Sequence, residues 1–300
     1  MPHSRSRLIF RAGRWITWHM TGGEEAYVTG SGDGAAHSIR APMTYVVRGE
    51  KAIFYPTDRS KSYWPTEMHE VTVTDMRPTA DRLSFEQNGF VLLNEPSAVK
   101  NFYDAAEVER VYIPEVIALI KRLTGAAKVI TFGAMLRSDD PNVGDGRLPS
   151  FGAHIDYGDR TVRQTSKDIL GEEEAEKWLK ARYMLINVWR PIRTVERVPL
   201  ALCDASTVHR EDIFESEVRG GLGDPNRPSL YGYNLAYNPV HRWYYVPKMR
   251  PEEVLAFKLF DSDASQLQWT AHSAFEDPET RPDAPARESI ELRTISFLGV

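Results

Sequence analysis

A chain of 300 residues, 42% hydrophobic and 26% charged, can bury a large globular core as one large domain or two smaller ones. Its net charge of −5 argues against nucleic acid as a main partner, because phosphate recognition needs a basic face. The single cysteine, Cys203, excludes an internal disulfide framework and any cysteine-based zinc or iron–sulfur centre; with no apolar run of membrane-spanning length, it points to a reducing, cytoplasmic setting away from membranes.

Residues 1–20 are basic and free of acids, as in a transit peptide, but Trp15, Ile16 and Trp18 read as the start of a folded strand. The glycine-rich run at 30–34 has no amphipathic helix after it, so it reads as a loop and not a dinucleotide fingerprint. TYVVRG (44–49) and KAIFYP (51–56) are β-rich runs split by Gly49, and HEVTVTDMRP (69–78) alternates and stops at a proline. The clearest helix covers 105–124. Asp104 and Glu107 suggest a capping box, apolar residues from Val108 to Leu123 recur at helical spacing, and Gly125 stops it. Pro114 marks a kink or a break. AKVITFGAML (127–136) has a buried-strand pattern, and a second helix is expected over 165–181. From 183 onward strands dominate: 183–191, 199–206, 230–239, 241–247, 253–262 and 289–298, separated by turn residues. Residues 219–228, with three glycines and two prolines, read as a mobile loop and candidate lid. Strands in succession after a helical layer suggest an α+β protein whose second half is an all-β barrel or sandwich.

The stretch FGAHIDYG (151–158) carries the first chemistry. In an extended strand residues i and i+2 point the same way, so His154 and Asp156 can face one ion, with Gly152 and Gly158 letting the backbone turn beside them. A His-x-Asp alone is weak, since eight histidines make one by chance. A third ligand has three candidates. His209 sits among charges and reads as a surface residue; His241 opens HRWYYVP, where Trp243 suits substrate contact or packing; His272 lies in WTAHSAFEDP, between a strand-like segment and a loop. Ferrous iron favours two histidines and a carboxylate with open positions left over. Arg287 begins the last strand, where a guanidinium suits a carboxylate held through two parallel hydrogen bonds. The plainer readings are a hydrogen-bonded His154–Asp156 pair, a packing role for His272, a salt bridge from Arg287 to Glu288 or Glu291, and core roles for Asn187, Trp189 and Arg190.

On the segments EKAIFYP, EQNGFVLLNEPSAVKNFYD, YIPEVIALIKRLTGAAKV, GAHIDYG, INVWRPI, PLALCDAS, NPVHRWYYVPKMRPEEVLAFKLFDSD, TAHSAFEDP and APARESIELR, the chain resembles the iron(II)/2-oxoglutarate oxygenases. Within them it is similar to the family of the CmcJ-like cephamycin hydroxylase component, the fungal gibberellin desaturase and the AsaB-type hydroxylase/desaturases. The resemblance runs from about residue 44 to the end of the chain. It implies a double-stranded β-helix (jelly-roll) core flanked by helices, mainly over 127–300, in a single oxygenase domain with residues 1–40 peripheral. It maps the metal triad onto His154, Asp156 and His272, and the cosubstrate arginine onto Arg287, with Arg293 as the alternative. Tyr157, Asn187, Trp189, Arg190, His241 and Trp243 become pocket candidates. The implied cofactors are Fe(II), 2-oxoglutarate and O2. By family analogy a ferryl-oxo oxidant removes hydrogen from a small natural-product or amino-acid-derived substrate, giving hydroxylation, desaturation or ring closure in secondary metabolism. Two competitors stand beside this reading. A zinc hydrolase on the same ligands would need a general base beside a metal-bound water and no keto-acid site; a jelly-roll binding protein would need no catalysis. The sequence leaves the substrate and the oligomeric state open.

Overall fold

The computed structural model describes residues 6–11, 14–19, 36–55, 58–144, 146–219 and 228–299. The glycine run at 30–34 and the interior of the candidate lid at 219–228 lie outside the described residues. Contacts divide the chain into Met1–His37 and Ser38–Val300. In the first unit β1 (Ser6–Arg11) and β2 (Arg14–His19) form an antiparallel hairpin, and β2 is the strand expected around Trp15.

The second unit begins with β3 (Ser38–Val46), β4 (Ala52–Phe54), β5 (Thr66–Asp75) and β6 (Phe90–Asn94). A helical stretch follows: α1 (Ala105–Glu107), a π segment (Val108–Tyr112) and α2 (Ile113–Thr124). The Asp104 carboxylate caps it by accepting from the Ala106 and Glu107 amides. Glu107 does not complete the capping box; its carboxylate instead accepts from the Lys100 and Asn101 amides, tying down the loop before the helix. Pro114 opens α2 directly after the wider π turn, so the irregularity expected at the proline is a local change of helix type within a continuous helical stretch.

Next come β7 (Lys128–Ser138), β8 (His154–Ile155), α3 (Asp159–Leu170) and α4 (Glu172–Trp178). The helix expected over 165–181 is thus two helices, the first of which begins earlier, at Asp159. Gly171, at φ 80°, ends the first in a conformation that other residues avoid. The remaining strands are β9 (Tyr183–Pro191), β10 (Leu200–Cys203), β11 (Ile213–Arg219), β12 (Pro228–Leu235), β13 (Trp243–Tyr245), β14 (Glu253–Asp261), β15 (His272–Ala274) and β16 (Glu288–Phe297).

These strands form two sheets. The larger runs β3-β5-β13-β10-β15-β8-β12-β11-β4, and the smaller runs β6-β14-β9-β16-β7 with every pair antiparallel. Strands from the first hundred residues therefore extend both sheets. The smaller sheet is buried on both sides. On β9, Tyr183, Leu185 and Trp189 face a core shared with Leu202, Trp243 and Phe275 of the larger sheet. The alternate residues Met184, Ile186 and Val188 pack with Val116, Leu119 and Ile120 of α2. Every residue of β9 is buried, the pattern of a strand covered on two faces. Burying each such Leu or Ile side chain stabilises the fold by about 1.5–3 kcal/mol. This two-sheet arrangement is a jelly-roll core, and its interior places the mid-strand residues of β8 and β15 across from those of β9 and β16.

Candidate metal centre

β8 is only two residues long, and it pairs with β15 through a single register contact, His154 opposite His272. Residues directly opposite on antiparallel strands bring their side chains together. The two imidazole centroids lie 4.3 Å apart. Asp156, two residues beyond His154, returns to the same side. One ligand atom from each of the three residues lies within 4.8 Å of the other two.

The main chain sets the histidine tautomers. His154 Nδ1 donates to the Gly152 carbonyl at 2.8 Å, and Gly152 holds that carbonyl in place at φ 114°. His272 Nδ1 faces the Thr270 carbonyl at 3.5 Å. Each ring therefore turns its Nε2 lone pair inward. The Nε2 atoms sit 3.5 Å and 3.8 Å from Asp156 oxygens.

Burial resists charge on Asp156, but the His154 contact and the nearby Arg293 outweigh it and hold the carboxyl well below its usual range. Burial, with His154 beside it, pulls His272 down to about 3, so its ring stays neutral. Burial also works against protonating His154, yet the nearby Asp156 carboxylate raises it above the ordinary imidazole value. Two imidazoles and an ionised carboxylate are the donor set that ferrous iron takes, with metal binding displacing any proton held on His154, so the residues present fit the metal.

The smaller sheet supplies the opposite wall. Its register sets Arg293 across from Asn187 and Glu291 across from Trp189, and all four alternate onto the inner face. Asn187 Nδ2 donates to Asp156 Oδ2 at 2.7 Å. Arg287, just before β16, is 2% exposed; its Nη1 donates to the Val198 carbonyl, its guanidinium stacks over Trp189, and its Nε has no partner. It forms no ion pair among the described residues, so the salt bridge to Glu288 or Glu291 is not made. Burial and the neighbouring Arg137 lower its pKa to about 9. A buried guanidinium with an idle N–H and no contacting acid is a site prepared for an anion. Arg293 instead bonds Glu291 at 3.3 Å and lies over the Tyr157 ring, so Tyr157 serves as its platform. Burial and Asp156 push Glu291 up from the ordinary carboxyl range.

The three candidate ligands share one narrow pocket with Trp189, Arg287, Arg137 and Glu291. Sequence reasoning missed Arg137 and gave Glu291 only a structural part. The period-two series Arg287, Ser289, Glu291, Arg293 was the signal for Glu291, because alternate residues of one strand share a face.

Three of the pocket candidates are not brought to the triad. Arg190 lies on the far face of β9, donating to the Pro251 and Glu95 carbonyls and stacking on Tyr112. Trp243 is buried and donates to the Tyr45 hydroxyl. His241 belongs to a second cluster around Asp212, which accepts from Arg48 at 2.6 Å, Asn238 at 3.1 Å, His241 at 3.3 Å and the His209 amide at 3.4 Å. His209 itself is exposed.

A family model described as an oxidoreductase/YMDC permease-like domain matches residues 27–297. The chain is 34% identical over 241 residues to the alpha-ketoglutarate-dependent dioxygenase phiK of a fungal species, covering 76% of this chain and 84% of that one. It is 31% identical over 240 residues to the Fe(II)/2-oxoglutarate-dependent dioxygenase nvfI of Aspergillus novofumigatus, covering 77% and 84%. A solved structure of the iron and alpha-ketoglutarate-dependent endoperoxidase NvfI superposes with a TM-score of 0.79 at 26% identity, over 89% of this chain and all of that one. Neither the hydrolase nor the non-catalytic reading finds support among these relatives.

Proposed function

Because the chain belongs to the iron(II)/2-oxoglutarate-dependent dioxygenases, and works with Fe(II), 2-oxoglutarate and O2, we propose that His154, Asp156 and His272 hold the iron while Arg287 anchors the cosubstrate. The observation that carries this assignment is the convergence of three ligand atoms within 4.8 Å beside a buried arginine that has no acid of its own. When bound, the iron would activate O2, with 2-oxoglutarate giving up two electrons by oxidative decarboxylation, and so supply an oxidant able to take hydrogen from an unactivated carbon.

The chain's own residues do the rest. The backbone carbonyls of Gly152 and Thr270 keep both Nε2 atoms aimed inward. Arg287 pairs with the far carboxylate of the diacid and fixes its orientation. The wall of Trp189, Leu200 and Ala274 sheds water from the reacting centre. The substrate is a small organic molecule of the kind met in secondary metabolism, transformed by hydroxylation, desaturation or ring closure. The apolar side chains of Leu148 and Phe151, exposed beside the Ser150 edge of the pocket, support an apolar body.

The oxygenase domain is assigned to Ser38–Val300, a reading supported by the match over 27–297. A cytoplasmic location, with neither nucleic acid nor membrane as partner, is supported by the buried lone cysteine and the net charge of −5; no described helix is long and apolar enough to cross a membrane. Anaerobic addition of Fe(II) and then 2-oxoglutarate to the protein tests the assignment. A visible charge-transfer band that disappears in His272→Ala is expected, and a band that persists in that variant removes the triad.

A further inference from the structure

We infer that Asn187 is the positioning residue of the metal centre: its amide turns the Asp156 carboxylate so that one oxygen faces the ion and the other is withheld. The inference rests on the triad reading given above.

Asp156 follows a strand of only two residues, so its backbone is fixed on one side while its carboxylate is free to rotate. The histidine Nε2 atoms stand at 3.5 Å and 3.8 Å, at or beyond the limit of a hydrogen bond. Among the described residues, the side-chain donor at full hydrogen-bond distance is Asn187, whose Nδ2 lies 2.7 Å from Oδ2. It reaches across from the centre of the facing sheet. It is 0% exposed, and β14 and β16 hold its backbone on either side through Phe257 and Arg293. A carboxylate accepts only, so the amide nitrogen has to be the atom turned toward it.

The other end of the same amide supports a functional role. Asn187 Oδ1 is buried and has no partner. A buried amide left half-satisfied calls for an explanation; Asn234, whose Nδ2 also lacks a partner, shows that the mark alone does not single out a site, and it is the 2.7 Å contact to Asp156 that distinguishes Asn187. Here the nitrogen is committed to Asp156 and the oxygen goes without.

The consequence is a coordination number. With Oδ2 held by the amide, only Oδ1 is offered to the ion, and the carboxylate binds through one oxygen. Two imidazoles and one carboxylate oxygen leave three positions open for the keto acid and dioxygen. A carboxylate free to swing onto the ion with both oxygens would close one of them.

Cobalt(II) binding to the metal-free protein is the test, followed by its visible absorption and normalised to folded protein by circular dichroism. Asn187→Leu preserves size and removes the donor; Asn187→Ala removes it by truncation. Both are expected to melt within a few degrees of the parent and to bind cobalt roughly 10–100-fold more weakly, with an altered cobalt spectrum. Parent-like affinity and spectrum in a folded variant overturn the inference. So does failure of both variants to fold, which makes the amide a strut between the sheets. Asp156→Ala is the control that separates the two readings. If it leaves cobalt binding intact, the triad itself is wrong; if it weakens binding while the Asn187 variants do not, only the positioning role falls.

Discussion

Among the described residues two sites are built from the same side chains, an aspartate with histidine and arginine beside it, and they differ in how their charged groups are paired. Asp212 accepts from four donors, one of them the Arg48 guanidinium, which also reaches the Glu211 and Tyr237 carbonyls. Among the described residues Asp156 accepts one hydrogen bond, from Asn187, and Arg287 spends one N–H on a carbonyl and leaves Nε idle. The Asp212 carboxylate is closed by its donors, although His241 Nδ1 is buried without a partner, and the second site is open. A closed network rigidifies the fold, while an open one is a standing penalty unless something binds there. Residue type does not separate the two clusters; what separates them, among the described residues, is that Asp212 has a contacting cation and the Arg287 guanidinium has no contacting acid.

The largest effect that can break this contrast is at the open site. His272→Ala should lose metal by more than the ~100-fold typical of changes around the ligands, and release no succinate from 2-oxoglutarate. Its melting temperature without metal should stay near that of the parent. A variant that melts far lower would make His272 a packing residue like His241.

Next in size is the anion site. Arg287→Ala should raise the 2-oxoglutarate concentration for half-maximal succinate release by at least about thirtyfold, the loss of roughly 2 kcal/mol of charge-assisted pairing. Stability should hold, because the guanidinium has no charged partner to abandon. If Arg293→Ala gives the larger rise, the clamp belongs to Arg293.

The closed site should respond in the opposite currency. Asp212→Ala is expected to lower stability by about 2–3 kcal/mol in urea titrations, since it strands buried donors, and to lower the melting point by roughly 5 °C or more. Cobalt affinity of the folded fraction should be unchanged.

The smallest effect is a pH slope. Burial lowers the pKa of His241 below its ordinary 6.5, the Asp212 contact notwithstanding, so the folded state favours the neutral ring. Its contribution is fully present above pH 6.5 and is lost as the pH falls toward the depressed folded value. The stability difference between the parent and His241→Gln, measured by urea titration from pH 8 to 5, should shrink as the pH falls. A difference that grows toward acid would place a charged imidazole in the folded cluster.

Much of this was legible from residue order. The alternation at 69–75, the long apolar strand at 183–191 and the cap at Asp104 each encode their own geometry locally, and the structure has all three. The strands that carry the ligands do not. At two and three residues, β8 and β15 are too short to show a period, and they exist because each finds a partner already in place. Ile213–Arg219 was missed for a related reason: IFESEVR alternates with charged residues that suit a helix equally well. At the site, a family likeness could point to His154, Asp156 and His272. It could not say that Arg190 turns away from them while its neighbour Trp189 turns toward Arg287, because that depends on which face of β9 meets which core.

The imidazoles take their aim from carbonyl oxygens at Gly152 and Thr270, atoms that a peptide chain carries whatever its side chains are. The carboxylate takes its aim from a single amide, which one codon change removes. Under mutational drift the two halves of the triad therefore age differently: the bases are insured by the main chain, and the acid is the half that a lineage loses first or must re-secure with a new donor.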